Sequence, residues 1–242
     1  MNELEGKKAL VTGAAGGIGQ AIVESFRQNG AIVCGTDQSE TNANYSIKGN
    51  LMDHAFCDAL PRQAHDLMDG LDIIVNNAGF MARGKITGAT DDDYVRTMAI
   101  NVEAPFRICR AAIPILAEAG GGAIVNTASC WGVHPGPDHP LYVMSKAAIA
   151  SLTQCLGMDH AHQNIRVNAV CPNEVNTPML RTGFETRGID PETAIDDLNA
   201  SVPLGRIAEP EDIADVVVFL ASEKARYMCG ALVEVNGGKS VQ

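Results

Sequence analysis

Residues 8–20 read KALVTGAAGGIGQ, and this stretch decides the fold. Lys8 to Thr12 is a short apolar run without alternation, as in a strand buried on both faces. Glycines follow, then an amphipathic helical pattern from Gly17 to Asn29. Gly13 permits a tight turn, Gly17 lets the backbone approach a pyrophosphate, and Gly19 lets helix and strand pack closely. Free N–H groups in the first helical turn, around Ile18, attract phosphate oxygens. Glycines alone are weak evidence, because any tight strand-to-helix turn uses them. Between a strand and a helix they read as half of a dinucleotide site.

The second strand ends in a carboxylate. Ala31 to Thr36 (AIVCGT) predicts that strand, and Asp37 stands at its end, 18 residues after Gly19. An acid there accepts hydrogen bonds from both adenosine-ribose hydroxyls and repels a 2′-phosphate. No Arg or Lys stands at Ala14 to Gly16 or at Gln38 to receive such a phosphate, so NAD is expected over NADP. A weak third strand, Tyr45 to Gly49, follows too soon for a full crossover helix, which needs a dozen or more residues. The connection is therefore expected to be trimmed, with Asn50 and Leu51 beside the adenine.

Further along, residues 53–69 predict a helix and Asp72 to Asn76 a fully buried strand. A long helical stretch runs to Ala119, with Asn101 at the start of its long helix, and the strand Ala123 to Thr127 follows. A Pro/Gly-rich loop leads to a helix over Leu141 to His162 and a strand over Ile165 to Val170. The helix Pro210 to Ala221 and the strand Ala231 to Val235 close the order. Alternating strands and helices imply an α/β fold: a doubly wound parallel sheet of about seven strands, with helices on both faces. With no linker or repeat, 1–242 reads as one domain. Residues 172–208, where Pro, Gly, Thr and charges replace periodicity, are expected to form a substrate lid.

Composition narrows the function. A net charge of −11 with no basic cluster argues against a nucleic-acid partner, whose phosphates need a basic footprint. Seven scattered cysteines without a CxxC pair read as small buried hydrophobes in a reducing compartment. MNELEGKK leads directly into a strand, so no secretory signal is expected, and no apolar run reaches the ~20 residues of a membrane span. A cytoplasmic enzyme is the expectation.

Tyr142 and Lys146 (YVMSK) are four apart, so a helix presents them on one face. An ammonium near a phenol lowers its pKa and makes it usable as an acid or base. Ser129 lies just past the strand AIVNT, placed to polarise a carbonyl at the same spot, and Asn101 could hold a relay water or simply cap its helix.

With these residues the chain resembles the short-chain dehydrogenase/reductase family in its single-domain, Rossmann-type branch. TGAAGGIG at Thr12 to Gly19 matches the family's TGxxxGxG; NNAG at Asn76 to Gly79, Asn101, Ser129 and YVMSK complete the set in order. The similarity covers essentially the whole chain, ending with LVEVNGG at Leu232 to Gly238. The resemblance implies that Tyr142 is the general acid/base and that Lys146 lowers its pKa and holds the nicotinamide ribose. Ser129 would orient substrate, and Asn101 would support a water relay. Asn77 and Val175 would border the nicotinamide, with Thr177 near its carboxamide or the phosphates. It also implies a homotetramer.

One departure stands out. The family usually has Pro-Gly after the sixth strand; here Pro172-Asn173-Glu174 stands. Asn tolerates a left-handed backbone, so the turn is expected to survive, with Asn173 and Glu174 able to touch substrate. Arg83, Arg181 and Arg187 are candidates for an anionic substrate group. His134, Asp138 and His139 lie in the loop between Ser129 and Tyr142; no metal is expected, and His134 and His139 read as partners of a polar substrate or as plain loop residues. These residues favour a small polar alcohol such as a polyol, sugar, sugar acid or other hydroxy acid. Two alternatives stay open: a 3-oxoacyl thioester reductase, which would more often use NADPH, and a non-catalytic NAD(H)-sensing protein.

Overall fold

The computed structural model describes residues 2–239. Its strands are β1 (Lys8–Thr12), β2 (Ile32–Asp37), β3 (Tyr45–Lys48), β4 (Ile73–Asn76), β5 (Gly122–Thr127), β6 (Ile165–Pro172) and β7 (Leu232–Val235). They form one fully parallel seven-stranded sheet in the order β3-β2-β1-β4-β5-β6-β7. The helices are α1 (Gly17–Gln28), α2 (His54–Met68), α3 (Asp91–Met98), α4 (Ala104–Glu118), the single turn α5 (Cys130–Val133) and α6 (Pro140–His160). Beyond β6 come α7 (Pro178–Glu185), α8 (Pro191–Ser201) and α9 (Pro210–Ala221).

Strand side chains alternate between two cores, as a pleated sheet covered on both faces requires. Ala9, Val11, Ile73, Val75, Ala123 and Val125 face α1 and α9, where Ile22, Phe26, Val217 and Leu220 are buried. Leu10, Ile74 and Ile124 point the other way, against Leu60 and Ala64 of α2 and Ile108 and Leu116 of α4. The trimmed connection lies between β2 and β3, where residues 38–44 replace a helix. A Cβ on Gly35 would collide with Thr41 and Ala14, so glycine there lets the loop lie directly on β2.

Two elements differ from the sequence reading. The helical stretch before β5 is broken: α3 ends at Met98, and residues 99–103 form a π turn in which the Ala104 N–H reaches the Ala99 carbonyl. Pro105 explains it, since it has no N–H to give the Asn101 carbonyl and the regular ladder fails there. Asn101 therefore sits inside this turn and does not begin a helix. The irregular region contains α7 and α8, which share a small core of Phe184, Ala194, Ile195, Val202 and Ile207. Pro178 and Pro191 open these helices; they do not prevent them.

One buried charge ties the two layers together. Arg166 on β6 donates to the carbonyls of Leu220, Ala221, Ser222 and Ala225 at 2.7–3.3 Å, closing the C-terminal end of α9. It answers carbonyls that the helix itself cannot satisfy and opposes the negative end of its dipole. Arg166→Met should lower the unfolding free energy by about 3 kcal/mol, because buried acceptors lose a charged donor. Denaturant unfolding checks this, and a loss under about 0.5 kcal/mol, typical of surface changes, would contradict the role.

Candidate active site

Strand order reverses between β1 and β4, and the loops leaving their carboxyl ends open a crevice there. A cleft of about 1040 Å³ follows it across the top of the sheet. The backbone at its centre is stitched by polar side chains. Thr12 Oγ1 accepts the N–H groups of Asn77 and Ala78, each at 3.1 Å, and Asn77 Nδ2 donates to the Thr12 carbonyl at 3.1 Å. Gly13 takes φ +65°, and a Cβ on Gly19 would run into the Gly13 carbonyl. The glycine-rich loop is thus held tight against the first turn of α1.

One end of the cleft is lined by Gly13, Gly17, Ile18, Gly19, Asp37, Asn50 and Leu51. Asp37 is fixed in place: its carboxylate accepts the Ala15 N–H at 3.1 Å and the Gln38 N–H at 2.7 Å. The start of α1 has no side-chain cap and no acid in its first turn, whereas Asp53, Thr90, Thr177 and Asp190 cap α2, α3, α7 and α8. Uncapped N–H groups facing a cleft suit a phosphate. The residues at this end fit a dinucleotide.

The other end holds Ser129, Tyr142 and Lys146. Ser129 caps α5, its Oγ accepting the Trp131 N–H at 3.2 Å. Tyr142 and Lys146 lie on the first turns of α6. A buried chain steadies that helix against the sheet: Asn76 Nδ2 to Asn126 Oδ1 at 2.9 Å, then Asn126 Nδ2 to Thr153 Oγ1 at 2.9 Å. Asn101 makes the second brace. Its Oδ1 accepts the Phe80 N–H at 2.7 Å, and its Nδ2 donates to the Phe80 carbonyl at 2.8 Å and to Ser145 Oγ at 2.9 Å. The π turn thereby joins the loop after β4 to the helix that carries Tyr142.

Lys146 is 4% exposed, and its Nζ donates to the Thr127 carbonyl at 2.7 Å. Burial pulls its pKa down to about 8. The ammonium lies 5.8 Å from the centre of the Tyr142 ring. Burial also raises the Tyr142 pKa, against a smaller lowering from the Ser129 hydroxyl. The groups that lower it are the Ser129 hydroxyl and the Arg83 charge; Lys146, expected to lower it, is not among them.

Val175 and Thr177 line the cleft, with Val175 bridged to Ala208 and Thr177 capping α7. Asn173 is not left-handed. Its N–H bonds the Val235 carbonyl at 3.1 Å, so the chain simply continues the pairing of β6 with β7, and the expected turn at that position is absent. Asn173 lines the cleft, and its Nδ2 is buried with no partner. Glu174 also lines it, but Oε1 is taken by Lys239 Nζ at 2.7 Å, which also bonds Ser201 at 3.0 Å. Arg83 and Arg187 are brought into the wall; Arg181 instead pairs with Asn176 and Glu192. His134 is not part of the described cleft wall and pairs with Glu234 at 3.0 Å, whereas His139 lines the wall with its ring 4.9 Å from that of Trp131. The apolar wall of Met179, Leu180, Phe184 and Leu198 escaped the sequence reading, which saw no helices there.

A family model described as "Enoyl-(Acyl carrier protein) reductase" matches residues 13–240. The 3alpha-hydroxysteroid dehydrogenase of Mediterraneibacter gnavus is 36% identical over 97% of this chain and 97% of its own. An uncharacterized oxidoreductase of Thermotoga maritima is 32% identical over 98% of each. Among solved structures, ligand-free Thermoplasma acidophilum aldohexose dehydrogenase superposes with a TM-score of 0.94 at 30% identity, over 100% of this chain and 96% of its own. The Brucella melitensis 3-ketoacyl-(acyl-carrier-protein) reductase complexed with NADH gives 0.90 at 29%, over 98% and 100%. The chain belongs to the short-chain dehydrogenase/reductase family of oxidoreductases.

The depressed pKa of Lys146 has a measurable sign. Between about 8 and its ordinary 10.5 the unfolded chain holds the extra proton, so this group makes stability rise with pH. The buried thiols of Cys34, Cys57, Cys109, Cys130 and Cys171, pushed up from 9.0 to about 11 or 12, act oppositely above pH 9. Comparing wild type with Lys146→Met by denaturant unfolding near pH 7 and near pH 10 cancels the thiols other than Cys171, whose charge acts on Lys146. Wild type should gain on the variant at the higher pH. A gap that does not change would show that burial costs Lys146 nothing.

Proposed function

We propose that this chain is an NAD-dependent oxidoreductase interconverting a small polar secondary alcohol and its ketone, with Tyr142 as general acid/base. The supporting observation is one continuous cleft with Asp37 at one end and Ser129, Tyr142 and Lys146 at the other. Asp37 would receive the adenosine-ribose hydroxyls. Glu24 also lines the cleft, and Arg27 is occupied by Glu24 and the Asn42 carbonyl, while Lys48, beside Asp37 on β3, is not part of the described cleft wall. A 2′-phosphate would meet carboxylates, which supports NAD over NADP.

When bound, the nicotinamide supplies the hydride acceptor or donor and, when oxidised, a positive charge. Gly13, Gly17, Ile18 and Gly19 would hold the pyrophosphate; Asn50 and Leu51 would flank the adenine; Asn77, Val175 and Thr177 would border the nicotinamide. Ser129 Oγ donates to the substrate oxygen and fixes it beside the Tyr142 hydroxyl. Tyr142 gives its proton to the oxygen as a ketone is reduced, and takes it back in the other direction. Lys146 binds the ribose and supplies the charge that favours the phenolate. Asn101 holds both walls in register and is the natural support for a proton relay.

His139, Trp131 and the unpartnered Asn173 amide support a substrate with several hydrogen-bonding groups, while the apolar lid accommodates its carbon skeleton. A catalytically silent NAD(H) sensor would have no use for this acid/base set. Assembly as a homotetramer is part of the proposal, supported by exposed Tyr94, Val95, Phe106 and Met144 on α3, α4 and α6. So is a cytoplasmic location, supported by seven unpaired cysteines. No helix among the described residues is long and apolar enough to cross a membrane.

The test is Tyr142→Phe, assayed with NAD and a panel of polar secondary alcohols. Turnover should fall ~100-fold or more while NAD affinity stays close to normal, since one hydroxyl and little volume are removed. Activity within severalfold of wild type would place the proton transfer elsewhere.

A further inference from the structure

Two guanidiniums at the substrate end of the cleft have no anionic partner among the described residues. Arg83, on the loop after β4, donates through Nη2 to the Met179 carbonyl at 3.1 Å. Arg187, just past α7, donates through Nε to the Gly183 carbonyl at 2.8 Å and stacks on the Phe184 ring at 5.0 Å. They converge on Gly183, where a Cβ would run into the Arg83 guanidinium. Both line the cleft that contains Ser129 and Tyr142.

Among the described residues six of the eleven arginines have no carboxylate partner, and three of these, Arg83, Arg187 and Arg96, line the cleft, Arg96 being stacked on the Phe80 ring. Arg27, Arg107, Arg110, Arg181 and Arg206 each pair with a carboxylate. Among the described residues no carboxylate lies within ion-pairing distance of Arg83 or Arg187, in a chain whose net charge is −11. Glu174, the acid of the adjoining wall, pairs through Oε1 with Lys239, while its Oε2 is buried with no partner among the described residues. Partial burial lowers the Arg83 pKa, and the like charge of Arg187 adds to that lowering, while Tyr142 acts the other way. A neutral ligand leaves that repulsion in place. An oxyanion removes it and can take two forked donors, the arrangement guanidinium is built for.

We propose that Arg83 and Arg187 dock an oxyanion carried by the substrate, so that the substrates are hydroxy acids and their keto acids, with neutral polyols and sugars disfavoured. The reacting hydroxyl meets Ser129 and Tyr142 while the anionic group lies against the two guanidiniums. This deepens the proposed function and rests on its placement of the substrate.

The test compares matched acids and alcohols: glycerate with glycerol, gluconate with glucitol, and mandelate with 1-phenylethane-1,2-diol. Binding to the enzyme–NADH complex is measured by calorimetry, which needs no turnover, so failure of the catalytic reading and failure of this proposal show separately. At least one acid should bind ~10-fold or more tightly than its neutral partner, the scale of one charged hydrogen bond. Arg83→Met and Arg187→Met should each shrink that ratio and the double variant abolish it, whereas Arg181→Met, outside the described cleft wall, should preserve it. No acid favoured over its alcohol in the wild-type protein overturns the proposal. So does a preference that survives in the double variant.

Discussion

All seven strands point the same way, and the rest of the molecule depends on that constraint. Parallel strands need crossovers, so every strand delivers its carboxyl end, and the loop that follows, to one edge of the sheet. Chain order reverses between β1 and β4, which leaves a crevice that no crossover covers. The glycine turn, the Asp37 carboxylate, the Asn77 loop, Ser129 and the Asn173–Thr177 segment reach that edge from five different strands. None of them is near all the others in sequence.

Precision at this edge comes from buried neutral hydrogen bonds more than from charges. Thr12 and Asn77 lock the two central loops together, and Asn76, Asn126 and Thr153 lock the sheet to α6. Apart from the Asn76 Oδ1, which is buried with no partner among the described residues, these side chains are hydrogen-bonded in place, so they rigidify without the desolvation cost of an ion pair. Charges lie along the cleft wall: a fixed carboxylate at Asp37, a buried ammonium at Lys146, and Arg83, Arg96 and Arg187, which have no carboxylate partner among the described residues.

The buried strands were legible because apolar runs between glycines admit few other readings, and Asp37 was legible because its distance from Gly19 is set by the unit it closes. The π turn at Asn101 was missed, although Pro105 four residues on carries the signal: no N–H can answer the Asn101 carbonyl. α7 and α8 were missed because Pro, Gly, Thr and charges over residues 172–208 obscure the helical periodicity. Thr177-Pro178 and Asp190-Pro191 are cap-and-first-turn pairs, which start helices. No sequence pattern could place His134 on Glu234 or Lys239 on Glu174, since residues far apart in the chain meet only after folding.

Trp131 is the chain's single tryptophan, and it stands in the cleft wall. Titrating the wild-type protein with NADH and with NADPH while following its fluorescence therefore reads the site directly, with no need to know the substrate. The account predicts saturable quenching by NADH, with emission passed to the reduced nicotinamide, and ~10-fold or weaker binding of NADPH, whose 2′-phosphate meets Asp37. Absence of quenching by either nucleotide, or NADPH binding as tightly as NADH, would contradict it.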